Sequence, residues 1–179
     1  ISSASLTEGN AGTKIMKFTV TRTGASASAV TVNWATASPS AGPGVFPATA
    51  GVDYRIASGI ATIPAGASGT SVTLSGVTVA DVLDEDDEVF SVVLSNPSAS
   101  ALGTAAGVGT IVDDDATPTM AITGTTLTEG SLAPGTTAAN LKVTLSAASG
   151  RMVTVHWATS AGSATADVDY QSASGDLTF

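Results

Sequence analysis

Apolar and polar residues alternate with a period of two along much of the first part of the chain. The alternation is clearest in segments 14–22 (KIMKFTVTR), 30–34 (VTVNW) and 88–96 (EVFSVVLSN), and it is typical of strands that are buried on one face. Shorter segments of the same character, separated by turn residues, occur at 2–7, 58–65, 70–79 and 107–114. Since no segment keeps a 3.6-residue period, we predict an all-β fold, an immunoglobulin-like antiparallel β-sandwich of about seven strands.

The chain also contains an internal repeat. Three motifs of the first part return in the same order in the second: LTEG at 6–9 and 127–130, VTVNWAT at 30–36 with VTVHWAT at 153–159, and DYRIASG at 53–59 with DYQSASG at 169–175. We therefore predict tandem sandwiches, with a first repeat over residues 1–115, a linker at 116–118 and a second repeat over 119–179. Because the second repeat holds only the N-terminal half of the pattern, we expect it to be truncated at Phe179.

The charge of the chain excludes several classes of partner. Its 179 residues carry a formal net charge of −9 and only six Lys and Arg residues, which cannot form the basic stripe of a nucleic-acid-binding protein. The same charge opposes an anionic membrane surface, and no apolar stretch is long enough to span a bilayer. We therefore expect no nucleic acid partner and no membrane insertion in this segment. Cys is absent, which excludes disulfides and thiolate metal sites.

The acidic residues of the first repeat are sorted toward one end of the expected sandwich. Six lie between Asp81 and Glu88, and the others are Glu8, Asp53 and the run 113–115. If consecutive strands alternate in direction, the loops that carry all of these residues meet at one end, which we call the acidic pole, and the loops at the other end carry no acid. So many carboxylates repel one another without a counter-ion. Oxygen ligands in this number suit Ca²⁺, which takes six to eight of them, better than Mg²⁺.

Less specific interpretations of the same residues stay open at this point. The segment 81–88 is also compatible with a solvated acidic turn, and 113–115 with a polar linker between domains. We expect Asp84 and residues 86–88 to be solvated or outside the direct ligand set. An enzyme is not expected, because no nucleophile is paired with a base and the single histidine, His156, is predicted to be an ordinary surface residue.

Four motifs together resemble the Calx-beta domain family: LTEG, the DY pair before a strand, DVLDEDDEVFSVVLSNP, and the terminal GTIVDDD. The resemblance covers the first repeat and the part of the second that is present. It implies that Ca²⁺ is the cofactor and that the ligands are the carboxylates of Glu8, Asp53, Asp81, Glu85, Asp113, Asp114 and Asp115, with the backbone carbonyl of Leu83. One departure is Ala80, where the family's best calcium-binding members carry an acid, which implies fewer ions or weaker binding.

The resemblance and the repeat lead to one functional hypothesis and one alternative. The hypothesis is a calcium-binding module of a larger extracellular or cell-surface repeat protein, acting in adhesion, as a stalk or in a filament, with Ca²⁺ making the interdomain junction rigid. Its partners would be calcium ions, adjacent domains of the same polypeptide and neighbouring copies. The alternative is a metal-independent spacer or a filament subunit completed by strands from a neighbouring chain. In the second repeat only Glu129 and Asp169 match ligand positions, so we expect no tight calcium site there.

Overall fold

The computed structural model describes residues 1–99, 101–128 and 135–179, and within them the chain forms strands and no helix. The strands are β1 (Ala4–Thr7), β2 (Gly12–Thr21), β3 (Val30–Ala37), β4 (Phe46–Pro47), β5 (Ser58–Ile63), β6 (Ser71–Ala80), β7 (Glu88–Ser95), β8 (Ala106–Val112), β9 (Met120–Thr123), β10 (Lys142–Leu145), β11 (Thr154–Ala158) and β12 (Ser174–Thr178). No described segment is a helix long and apolar enough to cross a membrane. The strands belong to two compact units, Ile1–Ala116 and Thr117–Phe179.

The first unit is a sandwich of two sheets. The larger sheet has the order β1-β8-β7-β3-β5, with β4 paired to the start of β7, and the smaller sheet pairs β2 with β6. The predicted all-β sandwich is therefore confirmed, and each of the seven predicted strands is present. β4 was not predicted, and both β1 with β8 and β4 with β7 are parallel pairs in an otherwise antiparallel fold.

The alternating apolar residues of the first unit form one core between the two sheets. Phe18 of β2 and Phe90 of β7 are fully buried and meet edge to face with 5.8 Å between ring centroids. Tyr54 stacks on Phe90 with 4.8 Å between ring centroids, and aromatic contacts of both kinds add stability beyond the area that they bury. Gly109 of β8 lies where a Cβ atom would meet both phenylalanine rings. The core therefore fixes the strands whose ends carry the acidic residues.

The second unit repeats part of this construction. Its described residues, 117–128 and 135–179, form two separate two-stranded pairs, β9 with β10 and β11 with β12. In β11 and β12, Trp157 is aligned with Gly175, just as Trp34 is aligned with Gly59 in β3 and β5. The common sequence motifs therefore produce the same strand register in both units. Glu129, which matches Glu8 in the repeat, lies outside the described residues.

Candidate metal centre

Parallel pairing of β1 with β8 brings the first and last acidic segments of the first unit together. Thr7 at the end of β1 is aligned with Val112 at the end of β8, and the backbone N–H of Glu8 donates to the Val112 carbonyl at 2.9 Å. Because the two strands run in the same direction, Glu8 and Asp113 leave the sheet at the same end. The expectation that these residues share one pole is met by this geometry.

Asp53 reaches the same pole from the loop between β4 and β5. Its carboxylate accepts a hydrogen bond of 2.6 Å from the backbone N–H of Thr49, which closes a tight local turn. Its backbone carbonyl accepts a hydrogen bond of 2.8 Å from Val79, near the end of β6. The side chain is buried, and its backbone is fixed beside the point where the acidic loop 81–87 begins.

Three carboxylates converge where these loops meet. Asp53, Asp81 and Glu85 each place one oxygen within 4.8 Å of the others. Asp81 is held on two sides, since its backbone N–H donates to Glu8 Oε1 at 3.1 Å and its Oδ1 accepts the N–H of Leu83 at 2.8 Å. Of the sequence-predicted ligands, four carboxylates therefore belong to one hydrogen-bonded and electrostatically coupled cluster, which the backbone N–H of Leu83 joins.

The three terminal aspartates are anchored individually. Asp114 Oδ1 accepts the N–H of Gly9 at 2.8 Å, and Asp115 Oδ1 accepts the side-chain amide of Asn10 at 2.7 Å. The backbone N–H of Asp113 donates to an oxygen of Asp87 at 3.1 Å. Among the residues that the structure describes, two carboxylate oxygens, Asp113 Oδ1 and Asp115 Oδ2, are shielded from solvent and accept no hydrogen bond. Buried acceptors of this kind are costly unless a cation or a donor faces them.

The pKa values at the pole reflect burial and mutual repulsion. Burial is the largest cause that raises the pKa of Glu8 to about 7; the hydrogen bond from Asp81 opposes this effect, and the charges of Asp81, Glu85 and Asp113 add to it. Burial also raises the pKa of Glu85, with further contributions from the charges of Asp81 and Asp53. In both cases the metal-free pole disfavours the ionised carboxylate, and a divalent cation would reverse that preference.

Glu88 and Asp84 are shielded by the fold, which leaves the second part of the sequence-based expectation, a place outside the direct ligand set. Glu88 is the first residue of β7 and is half-buried. Burial raises the pKa of its carboxyl group, and a hydrogen bond to Asp53 raises it further. Asp84 is only 4 % exposed and is therefore not solvated. The signal for Glu88 was present in the sequence, because residues 88, 90 and 92 share a face of β7 and Phe90 points into the core. Nothing comparable in the sequence distinguishes Asp84 from its neighbours.

The arrangement fits a hard divalent cation and disfavours a simple solvated turn. All of the available donors are oxygens, several are buried, and two have no hydrogen-bond partner. Ca²⁺ accepts such a set in flexible geometry, whereas a nitrogen- or sulfur-preferring metal would find neither histidine nor cysteine at this pole.

Comparisons with known proteins bear directly on this pole. The family model described as Calx-beta domain matches residues 4–117 and again 113–179, so the resemblance seen in the sequence is confirmed. The crystal structure of calcium binding domain CBD12 of CALX1.1 is 25 % identical and superposes with a TM-score of 0.52, covering 98 % of this chain and 66 % of that one. CBD12 from CALX1.2 is 23 % identical with a TM-score of 0.52, covering 99 % and 68 %. No curated protein matches. The chain thus spans about two thirds of the length of these tandem-domain structures.

Proposed function

This chain belongs to the Calx-beta domain family, and on that premise we propose that its first unit is a calcium-binding module with its ions at the acidic pole. The observation that carries the proposal is the convergence of Asp53, Asp81 and Glu85 within 4.8 Å, beside two buried carboxylate oxygens that have no donor. The CALX1.1 neighbour is a calcium binding domain, which supports the same ion.

The proposed ligand set follows the loops that meet at the pole. Glu8, Asp53, Asp81 and Glu85 would hold the inner part of the site, with the carbonyl of Leu83. Asp113, Asp114 and Asp115 would hold the outer part, next to the end of β8. Glu88 joins the set because its carboxyl group contacts that of Asp53. One Ca²⁺ ion takes six to eight oxygen ligands, and a bidentate carboxylate counts as two of them. The proposed set offers more oxygens than that, which favours more than one ion.

Bound Ca²⁺ would offset the negative charge that gathers at this pole, where Lys14 Nζ donates only to the Thr7 carbonyl at 2.8 Å. The chain's own residues do the rest: hydrogen bonds from Gly9, Asn10 and Thr49 orient three of the carboxylates in advance. Such preorganisation lowers the conformational entropy lost on binding. We expect dissociation constants in the range of roughly 10⁻³ to 10⁻⁶ M, from extracellular modules to sensors, with Ala80 in place of an acid favouring the weaker end.

Calorimetric titration with Ca²⁺ tests the proposal, with two variants of the same loop. Glu85→Gln removes a charge from the converging triad and should weaken binding at least tenfold. Asp86→Asn removes the same charge from outside that triad and should change the affinity by less than a factor of three. Absence of heat with the parent protein, or equal affinity in the Glu85→Gln variant, would favour the metal-independent spacer.

We also propose a wider role for the module, supported by its tandem repetition and its acidic character. The chain would be a segment of an extracellular or cell-surface repeat protein that acts in adhesion, as a stalk or in a filament. Asp113, Asp114 and Asp115 lie within a few residues of Thr117, where the second unit begins, so ions bound there would restrain the connecting backbone. Small-angle scattering should then give a narrower distribution of interdomain distances with Ca²⁺ than with EDTA, and identical profiles would contradict this part of the proposal.

A further inference from the structure

The outer surface of the larger sheet in the first unit has no charge. Alternate residues of β1, β3, β5, β7 and β8 face away from the core, and all of them are described by the structure. They are Ser, Thr, Ala, Val, Asn or Ile without exception. We call this surface the uncharged face. In a chain with a net charge of −9, a whole sheet surface without Asp, Glu, Lys or Arg is a marked departure from the average surface.

Apolar side chains stand out from this face instead of charged ones. Ile60 of β5 is 69 % exposed, Val108 of β8 is 41 % exposed and Val93 of β7 is 38 % exposed. They lie on an edge strand and on two inner strands of the same sheet, with small residues around them. The outward surface of the smaller sheet is different, because there Lys17 accompanies the exposed Ile15. Depletion of charge with exposed aliphatic residues distinguishes the centre of a protein interface from ordinary surface.

The second unit shows how the same position looks with a carboxylate and an imidazole in it. Asn33 of β3 is aligned with Ile60 of β5, and the corresponding residues of the second unit, His156 and Asp176, are aligned in the same way. Their side chains are exposed and form a hydrogen-bonded pair at 2.7 Å. Charged residues on edge strands are a common protection against association. The fold therefore accepts a His–Asp pair at this position, and the first unit has Asn33 and Ile60 there instead.

We propose that the uncharged face is the contact through which two molecules of this chain associate, packed face to face around a two-fold axis. A surface without charge offers no complement to a charged partner, and it is its own complement because a two-fold contact needs only one self-matching patch. Small, alternating side chains allow two sheets to approach to the usual separation of about 10 Å. The contact does not depend on calcium.

Charge on the rest of the molecule selects the direction of the axis. An axis parallel to the strands would place the two acidic poles side by side. An axis across the strands places them at opposite ends, separated by about the length of an eight-residue strand, ~26 Å. That distance exceeds the Debye length of ~10 Å at 0.1 M salt, so the poles no longer oppose association. The antiparallel arrangement is therefore the one that we expect.

The size of the face sets the expected strength. Five strands about 4.8 Å apart and some six residues long cover roughly 24 by 20 Å, or about 500 Å² in projection. A standard interface buries about 800 Å² of accessible surface on each partner. The association should therefore be reversible and weak, with a dissociation constant on the order of 10 to 100 μM, which is 5 to 7 kcal/mol.

Sedimentation equilibrium of the full chain over that concentration range tests the proposal. The double variant Asn33→His with Ile60→Asp introduces the hydrogen-bonded His–Asp pair of the second unit, in the register that holds it there. Because it puts a carboxylate on the face, we expect it to be monomeric. Val108→Lys, on another strand of the same face, should weaken association at least tenfold and provides a second test if the double variant folds poorly. Ile15→Asp, on the opposite sheet, is the matched control and should dimerise like the parent protein.

The remaining outcomes separate this contact from others in the molecule. The dimer should form equally with Ca²⁺ and with EDTA, and a dimer that needs Ca²⁺ would place the contact at the acidic pole and overturn the proposal. Loss of the dimer in Leu177→Asp, with the double variant still dimeric, would assign it to the exposed apolar residues of the second unit. A parent chain that stays monomeric throughout the range would also overturn it.

Discussion

The backbone N–H of Asp81 donates a hydrogen bond of 3.1 Å to Glu8 Oε1, and this bond joins two loops that are 73 residues apart in the chain. One loop follows β1 and the other follows β6, which lie in different sheets. The candidate metal centre therefore exists only when both sheets are assembled. Ligand binding at the pole and folding of the first unit must then be linked.

That linkage predicts a calcium-dependent melting temperature. If the unfolded chain has negligible affinity, Ca²⁺ at one hundred times its dissociation constant adds about 2.7 kcal/mol per independent site. For a unit of this size that corresponds to a rise of roughly 10 °C. Differential scanning calorimetry with excess Ca²⁺ and with EDTA measures the difference, and Mg²⁺ at equal concentration is the control for general ionic effects. Coincident transitions in all three conditions would speak against a site that binds the folded state.

The raised carboxyl pKa values predict an unusual pH dependence for the metal-free protein. Burial raises the pKa of Glu8 to about 7 from an ordinary value of 4.5, so the folded state binds a proton that the unfolded state releases. The stabilisation that protonated Glu8 contributes is fully present below pH 4.5. It is lost as the pH rises toward 7, which lowers the free energy of unfolding by up to ~3 kcal/mol. The raised pKa of Glu85 acts in the same direction.

Melting curves in EDTA between pH 5 and 8 check this expectation. The transition should move to lower temperature as the pH rises. Glu8→Gln should reduce this slope because it removes the ionisable group, while its amide oxygen can still accept the Asp81 hydrogen bond. With Ca²⁺ present the trend should flatten, since protonation competes with the ion. A metal-free protein whose transition rises with pH would refute the assignment of buried, raised carboxyl groups at this pole.

Sequence patterns predicted the parts of this structure that depend on neighbouring residues in the chain. They missed the parts that depend on contacts between distant segments. The seven strands follow from a period of two, and the common pole of Glu8 and Asp53 follows from alternating strand direction. The short parallel strand β4 could not be predicted, because Phe46 and Pro47 lie in a Pro- and Gly-rich loop without periodicity. Asp84 looks like its neighbours in sequence, and only the closed loop buries it.

The aromatic core provides a prediction about stability alone. A Cβ atom at Gly109 would lie 2.8 Å from Phe90 and 2.9 Å from Phe18, closer than van der Waals contact allows. Gly109→Ala should therefore destabilise the first unit by about 1 to 3 kcal/mol through overpacking. Gly103→Ala, where nothing lies within 4 Å of the added atom, should be nearly neutral. Urea unfolding of both variants measures the difference, and equal midpoints would contradict the packing described here.

The two repeats contain a matched pair of aspartates that separates local structure from metal binding. Asp53 Oδ2 accepts the N–H of Thr49 at 2.6 Å, and Asp169 Oδ2 accepts the N–H of Thr165 at 2.7 Å. The local turn is therefore the same in both units. Among the described residues, Asp53 has Asp81 and Glu85 as neighbours, and Asp169 belongs to no such group of carboxylates.

Replacement of each aspartate by asparagine in the full chain should therefore have different consequences for calcium binding. Asparagine keeps the oxygen that accepts the turn hydrogen bond and removes only the charge. Asp53→Asn should lower calcium affinity at least tenfold in calorimetric titration, because one charged ligand of the converging set is lost, while Asp169→Asn should leave both affinity and stoichiometry unchanged. If Asp169→Asn instead removed a binding event, the second unit would hold a calcium site of its own. The requirement for the complete set of acidic loops would then be wrong.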